Sequence, residues 1–557
     1  VTIVFGLPLL SGRVLGGQDI VTYLINAQQT AANLSEGVVF PAWGGGFNSG
    51  FGSPALLFYP PLTSYLNAIP VLAGVPLAVG VWLLVLALHL ASGLALYGWL
   101  SDRGDRAAAL PAAVVYLAAP YRFVDVYLRS ALSEHVAFLW PPLILWSAAA
   151  RGVHPAARVA LVAVTTAGLV LTNLPMAVLF GIALAVWFVV SDRVRGFRTS
   201  VLTGVGLGFV AAAFALVPQA MSSVVLDTER YYGAGADNFR PSANTLFVDG
   251  FGVWNLNTVF SLAVVVTAAL GLVAYWVLPV TLRRRRSERL MVVAVVAGVV
   301  ATTGISGPVW DLLPVVSKLQ FPWRITALLT FVCAVLVGRA DARRAWIMVL
   351  VVAAAAVPFS NWDRTAPVEA FVAPRPSLSA PGTVFPDPIA AWQAGSGGWY
   401  WRHEKLVEPW LVPKTQHPLL LEELSGQPVA QFDSIRGRPA AVSGGSESSI
   451  RVVRWGQTER ELEVDLDAGG SLVWRVIPFP DMPLRLDGSP VPGFVDSETG
   501  LLAQNVPAGR HRVTWSWSPP PAFRAARIVS MLAVLVVACL AVAGWRLGSL
   551  QRRVDRV

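Results

Sequence analysis

Residues 77–100 read LAVGVWLLVLALHLASGLALYGWL and contain no Asp, Glu, Lys or Arg. About 20 consecutive apolar residues suffice for a helix to cross the hydrocarbon of a bilayer. This stretch alone therefore sets the class of the chain. Comparable runs lie at 201–221, 256–282, 290–312 and 528–545. Across 557 residues, 55% are hydrophobic and 13% charged, where a soluble chain carries about a quarter charged. Mean hydropathy is +0.58. The expected fold class is a polytopic α-helical membrane protein.

The net charge is +9. In a soluble protein such a surplus points to nucleic acid. Here six short loops (101–106, 151–158, 191–200, 283–289, 339–344 and 546–557) hold 19 Arg, while the loops between them (16–61, 121–134, 222–255 and 315–323) hold five Arg or Lys. Positive residues mark the cytoplasmic side, so the arginines read as topology determinants and no nucleic-acid partner is expected. Spans are expected near 1–15, 77–100, 107–120, 135–150, 159–172, 176–190, 201–221, 256–282, 290–312, 324–338, 345–359 and 528–545. That makes about twelve crossings, with both termini cytoplasmic. The parity requires Leu62–Ala73, LTSYLNAIPVLA, to lie on the outer surface as a juxtamembrane helix broken by Pro70. The first apolar run, Val1–Leu10, is too short to span and is soon followed by Arg13. It reads as a truncated first helix or an unconventional start rather than a cleaved signal peptide.

Composition changes after residue 359. SIRVVRW (449–455) and ERELEVDL (459–466) alternate apolar and polar residues, as half-buried strands do. RLDGSPV (485–491) carries an Asp-Gly turn signal, and GRHRVTWSW (509–517) is a further strand. Three parts follow: a transmembrane domain over 1–359 with an external loop at 16–75, an extracytoplasmic β-sandwich-like domain over 360–525, and a final transmembrane helix with a basic tail over 526–557.

Polar groups concentrate in the external segments. Asp19 and Tyr23 are four apart and share a helix face, and no Lys or Arg lies between Gly16 and Pro61 to pair with Asp19. The plain alternative is a helix N-cap. In PYRFVDVYLRSALSEH (120–135), Arg122, Asp125 and Arg129 fall along one helical stripe, with Ser130 and Glu134 on a neighbouring one. An arginine at headgroup level suits a lipid phosphate; the plain alternative is an intrahelical ion pair on a surface helix. In SKLQFPWR (317–324), Lys318 and Arg324 flank an aromatic corner and read equally as interface anchors or as part of a phosphate site. Asn173, at an external turn, reads as a cap. The six histidines are dispersed, the two cysteines lie in apolar runs, and no Cys/His metal spacing, nucleotide phosphate loop, dinucleotide fingerprint or Ser/His/Asp context occurs. The stretch FPAWGGGFNSGFGSPALLFYPP (40–61) has five glycines and no charge. It lacks the lysine chemistry of a phosphate loop and reads as a tight turn over an outer cavity, with Tyr59-Pro60-Pro61 setting the entry to the next helix.

The layout resembles the GT-C superfamily of membrane glycosyltransferases. The residues that carry the resemblance are the acidic Asp19 after the first run and the passage Pro41, Trp43, Gly50, Gly52, Pro54, Tyr59, Pro60, Pro61 and Leu62. GQDIVTYL (17–24), PYRFVDVYLRSALSE (120–134) and LQFPWR (319–324) resemble signatures of the bacterial 6-pyruvoyl-tetrahydropterin-synthase-related membrane proteins, and VPAGRHRVTWSWSPP (506–520) is similar to the end of related proteins. The sequence departs from that pattern at Tyr23 and Asn173, where relatives carry histidine. The resemblance implies a transferase in the bacterial cytoplasmic membrane that moves a sugar from a polyprenyl phosphate to an envelope glycan, lipid or protein acceptor at the outer face. It implies Asp19 as general base and Arg122, Arg129, Lys318 and Arg324 as cations for the leaving phosphate. Tyr23, Trp43, Tyr59, Asp125, Glu134 and Trp323 would support these or contact sugar. A divalent cation is neither indicated nor excluded. The alternatives are a non-catalytic envelope assembly or lipid-linked sugar-binding or flipping protein on the same scaffold, and a transporter, which would require ionisable residues or broken helices at the membrane midplane.

Overall fold

A computed structural model describes residues 1–10, 13–17, 19–47, 50–102, 106–190, 198–222, 244–247, 256–312, 319–360, 365–367, 435, 438–443, 448–480 and 482–554. Among these, four helices are long and apolar enough to cross a membrane: Val79–Ser101, Pro155–Thr172, Asn257–Trp276 and Pro521–Ser549. Two bent pairs raise the number to six if each counts once. Arg106–Ala118 continues into Pro120–Arg129 at 41°, and Arg198–Ala211 into Ala213–Ser222 at 58°. The expectation of about twelve crossings is therefore corrected. The N-terminal run forms two four-residue helices, Thr2–Phe5 and Leu7–Leu10. The helix Ile325–Val337 has 13 residues, which at ~1.5 Å per residue reaches about 20 Å of the ~30 Å hydrocarbon core. All but one of its residues are buried in protein. Hydropathy registers that a segment avoids water; it does not distinguish lipid from neighbouring helices.

The helices pack through small residues, as in membrane bundles generally. Arg198–Ala211 lies along Pro155–Thr172. A methyl on Gly204 or Gly208 would come within 2.9 Å of the facing Val159, Val162 or Ala163. The C-terminal helix Pro521–Val554 closes the same side. A second group gathers Leu256–Trp276, Ile325–Val337 and Arg106–Ala118 around one large apolar core. The segment Pro61–Leu72 is a 12-residue helix, too short to cross, that starts on Pro60-Pro61 and keeps Pro70 inside its last turn.

The strand segments are where the alternation places them. β1 (Arg13–Leu15) pairs antiparallel with β2 (Thr365–Pro367). β3 (Ala440–Ser443), β4 (Ser448–Trp455), β5 (Glu459–Leu466), β6 (Gly470–Trp474), β7 (Leu484–Leu486), β8 (Ser489–Val491), β9 (Phe494–Val495), β10 (Leu502–Val506) and β11 (Gly509–Ser516) form two open sheets, ordered β3-β6-β10-β9 and β4-β5-β11-β7-β8. Asp487 and Gly488 both take positive φ, 50° and 82°, as the tight β7–β8 turn requires. The expected sandwich-like module is corrected: among the described residues the sheets close into neither a sandwich nor a barrel. The strands share an apolar core with Trp474 and Trp515, and Trp43 of the outer loop enters it.

Candidate functional site

Asp19 precedes the helix Ile20–Ser35 but makes no side-chain cap bond to it. Its backbone N–H donates to the Arg129 carbonyl at 2.8 Å, and the Gly17 N–H donates to Ser130 Oγ at 3.0 Å. A Cβ on Gly17 would stand 2.5 Å from Ser130 Oγ and 2.7 Å from backbone atoms of Arg129 and Ser130. Only glycine permits this approach, and it brings Asp19 Oδ2 to 3.6 Å from Arg129 Nη2.

Arg129 ends a π-helical turn, Val124–Arg129, which stops at Ser130 in the left-handed region (φ 57°). Such turns recur at functional sites. Arg129 Nη1 donates to Asp125 Oδ1 at 3.2 Å and to Glu134 Oε2 at 2.9 Å. Glu134 Oε2 also accepts from Arg324 Nε at 3.3 Å, and Glu134 Oε1 from the Tyr121 hydroxyl. Arg324 is held further by the Leu319 carbonyl at 2.7 Å and Gln320 Oε1 at 3.2 Å. Both guanidinium groups lie against the Phe321 ring, at 5.7 and 5.0 Å. Phe321 stacks on Trp323, which stacks on Phe260. Burial by itself would raise the Glu134 carboxyl; Arg129 and then Arg324 outweigh it and hold its pKa below the ordinary value. Asp19 is the accessible member, with 43% of its side chain exposed against 5% for Arg129 and 1% for Glu134.

Asp19, Asp125, Arg129, Glu134 and Arg324 therefore meet, although 190 residues separate Glu134 from Arg324. Arg122 does not join them. It is fully buried, donates to Ser92 Oγ at 2.9 Å and lies over the Tyr116 and Phe138 rings. The π turn between Arg122 and Arg129 changes the angular phase, so a spacing of seven no longer means a shared face. Tyr23 turns inward to Ser133. Trp43 is fully buried beside Trp515 and Phe479, and Tyr59 packs around Ala55. Lys318 lies outside the described residues. Ser133 and the anchoring contacts of Gly17 carry no sequence signal, because each acts through a partner more than a hundred residues away, and Tyr121 reaches Glu134 only through the bend between their helices. Among the described residues no group of three or more His, Cys, Asp or Glu side chains is arranged to hold a metal ion. The arrangement offers one half-exposed carboxylate beside two anchored guanidinium groups.

No family model and no curated protein matches the chain, so the narrower placement among the pterin-synthase-related membrane proteins has no support. Of solved structures, the chain is similar to the arabinofuranosyltransferase AftD from Mycobacteria, at 18% identity over 65% of this chain and 26% of that one, with TM-score 0.39. A mutant form of the same protein matches in two classes at 17% identity and the same TM-score, over 64% and 63% of this chain. The chain thus spans about a quarter of the length of the structures it matches, and a likeness this distant assigns neither fold nor activity.

Proposed function

We propose that the chain is a membrane glycosyltransferase of the GT-C type that uses a polyprenyl-phosphate sugar at the outer membrane face and an envelope acceptor. The observation that carries this reading is the convergence of Asp19, Arg129 and Arg324 through Glu134. An acceptor hydroxyl attacks the anomeric carbon and its proton passes to Asp19, the exposed carboxylate. The bond from that carbon to the phosphate oxygen breaks, and the electron pair leaves with the phosphate. Arg129 and Arg324 stabilise the charge that develops there. Asp125 and Glu134 fix the guanidinium groups before substrate arrives, so no reorganisation accompanies the reaction. A lipid phosphate enters sideways from the leaflet, which removes the need for a nucleotide-binding domain. Asp19→Asn is expected to abolish sugar transfer by the purified protein without changing its melting temperature. Full transfer by that variant sinks the assignment of the base, and lipid-phosphate binding with no transfer by the unaltered protein favours a non-catalytic binding role.

A further inference from the structure

One helical turn beyond Asp19 lies a second cluster, uncharged and drawn from three distant segments. The Tyr23 hydroxyl meets Ser133 Oγ at 2.6 Å, and Asn173 Nδ2 donates to the same oxygen at 3.0 Å. The far end of the Asn173 amide settles its orientation: Oδ1 accepts the Met176 N–H at 3.0 Å and caps the helix Leu174–Val190. With Oδ1 committed there, Nδ2 faces Ser133. The three residues are 8%, 3% and 5% exposed.

The donor inventory of this cluster does not balance. A phenol and a serine hydroxyl each carry one donor hydrogen, and a primary amide carries two. The bond between the two hydroxyls uses one of their hydrogens, whichever group donates, and Asn173 uses one of its own on Ser133. Among the described residues, one hydroxyl hydrogen and one amide hydrogen remain without an acceptor, in a buried place where an unpaired donor is costly. Burial, and then the charge of Asp19, hold the Tyr23 phenol far above its ordinary pKa, so it remains a neutral donor.

We propose that Tyr23, Ser133 and Asn173 form a hydrogen-bond-donating subsite for the neutral oxygens of the transferred sugar, next to the arginines that hold its phosphate. This rests on the glycosyltransferase reading above and adds the feature that separates a sugar-bearing lipid from a bare lipid phosphate. The bare lipid brings no oxygen to this cluster, whereas a sugar hydroxyl or ring oxygen accepts the unspent hydrogens. Asn173 steadies Ser133 with one amide hydrogen and offers the other to the ligand.

The test uses the full chain in lipid nanodiscs and compares affinity for unglycosylated polyprenyl phosphate with affinity for a panel of polyprenyl-phosphate pentoses and hexoses. The unaltered protein is expected to prefer a sugar-bearing lipid. Tyr23→Phe combined with Ser133→Ala removes both hydroxyl hydrogens and is expected to reduce that preference about tenfold, the loss of one hydrogen bond. Asn173→Asp keeps the helix cap but turns a donor into an acceptor. Ser133 then donates to the introduced carboxylate, Tyr23 donates to Ser133, and the preference falls likewise. Should the double variant fail to fold, Asn173→Asp alone reads out the same loss. An unchanged preference in these variants, or an equal fall in both affinities, overturns the subsite. Equal binding of both lipids by the unaltered protein overturns the subsite alone, and binding of neither overturns the glycosyltransferase reading with it.

Discussion

At the scale of single residues, the glycines of 40–61 act by close packing more than by flexibility. Gly45 bonds through its backbone to Gln457 Oε1 and Arg460 Nη2, at 2.8 and 2.7 Å. At Gly52 two demands coincide: φ is +82°, and a Cβ would stand 2.3 Å from the Trp43 ring. Gly74 has a similar φ, +79°, with nothing within 4 Å. Gly74→Ala is therefore expected to cost about 1–2 kcal/mol, the left-handed penalty alone. Gly52→Ala is expected to cost about 3 kcal/mol or more, since Trp43 must also move within a filled core. Thermal unfolding of the two variants compares them, and equal losses would show that packing against Trp43 contributes nothing. The expectation that Trp43 stacks on sugar has no exposed ring face to support it.

At the scale of elements, the π-helical turn separates Arg122 from Arg129, and the β7–β8 turn holds a pH-sensitive pair. His511 Nδ1 lies 2.8 Å from Asp487 Oδ2, and Asp487 Oδ1 accepts the Arg512 N–H at 2.8 Å. The bond to Asp487 raises His511 above its ordinary 6.5. The Arg512 N–H, and then His511, hold Asp487 below its ordinary 3.8. The stability that His511 contributes is complete below 6.5 and vanishes as pH climbs through its raised folded value. That of Asp487 is complete above 3.8 and vanishes as pH falls through its lowered folded value. Asp487→Asn is accordingly expected to lower the melting temperature most between these limits, with the gap to the unaltered protein narrowing at alkaline pH. A gap that stays constant from about pH 4 to 9 would rule the pair out. Both groups are near the surface, so the effect is small.

At the scale of the whole molecule, the β-rich part clasps the outer loop that follows the Asp19 helix. Glu36 Oε2 accepts the Gln457 N–H at 2.8 Å, and the Phe51 carbonyl accepts the Ile477 N–H at 2.9 Å. Arg460, fully buried, lies over the Trp455 ring at 4.0 Å and donates to the carbonyls of Gly45 and Arg475. Arg460→Met would leave two buried carbonyls unpaired. It is expected to cost about 2 kcal/mol or more and to speed amide exchange in Gly44–Ser53. Arg451→Met removes only an exposed pair with Glu463 and is expected to cost under about 1 kcal/mol. If exchange in the loop does not change in Arg460→Met, the clasp does not hold it.

What the sequence by itself determined was whatever composition and short spacings can carry. An apolar run excludes water wherever it ends up, so the membrane class was legible. Strand alternation and the Asp-Gly turn of β7–β8 are local, as is the i,i+4 pair of Asp125 and Arg129. The charged residues of the external segments were legible as candidates because charge is costly beside a bilayer and rare in this chain. Tertiary structure decided the rest. Among the described residues it reduced the crossings from about twelve to four, or six with the bent pairs, because several apolar helices are too short to cross and one of them, Ile325–Val337, buries against protein. It removed Arg122 through a change of helical phase, made Glu134 the link between two distant arginines, and joined Tyr23 to Asn173 through Ser133. Local spacing predicts which side chains share a face of one element. Which faces then meet depends on packing between segments that can stand hundreds of residues apart, and no short-range pattern encodes that.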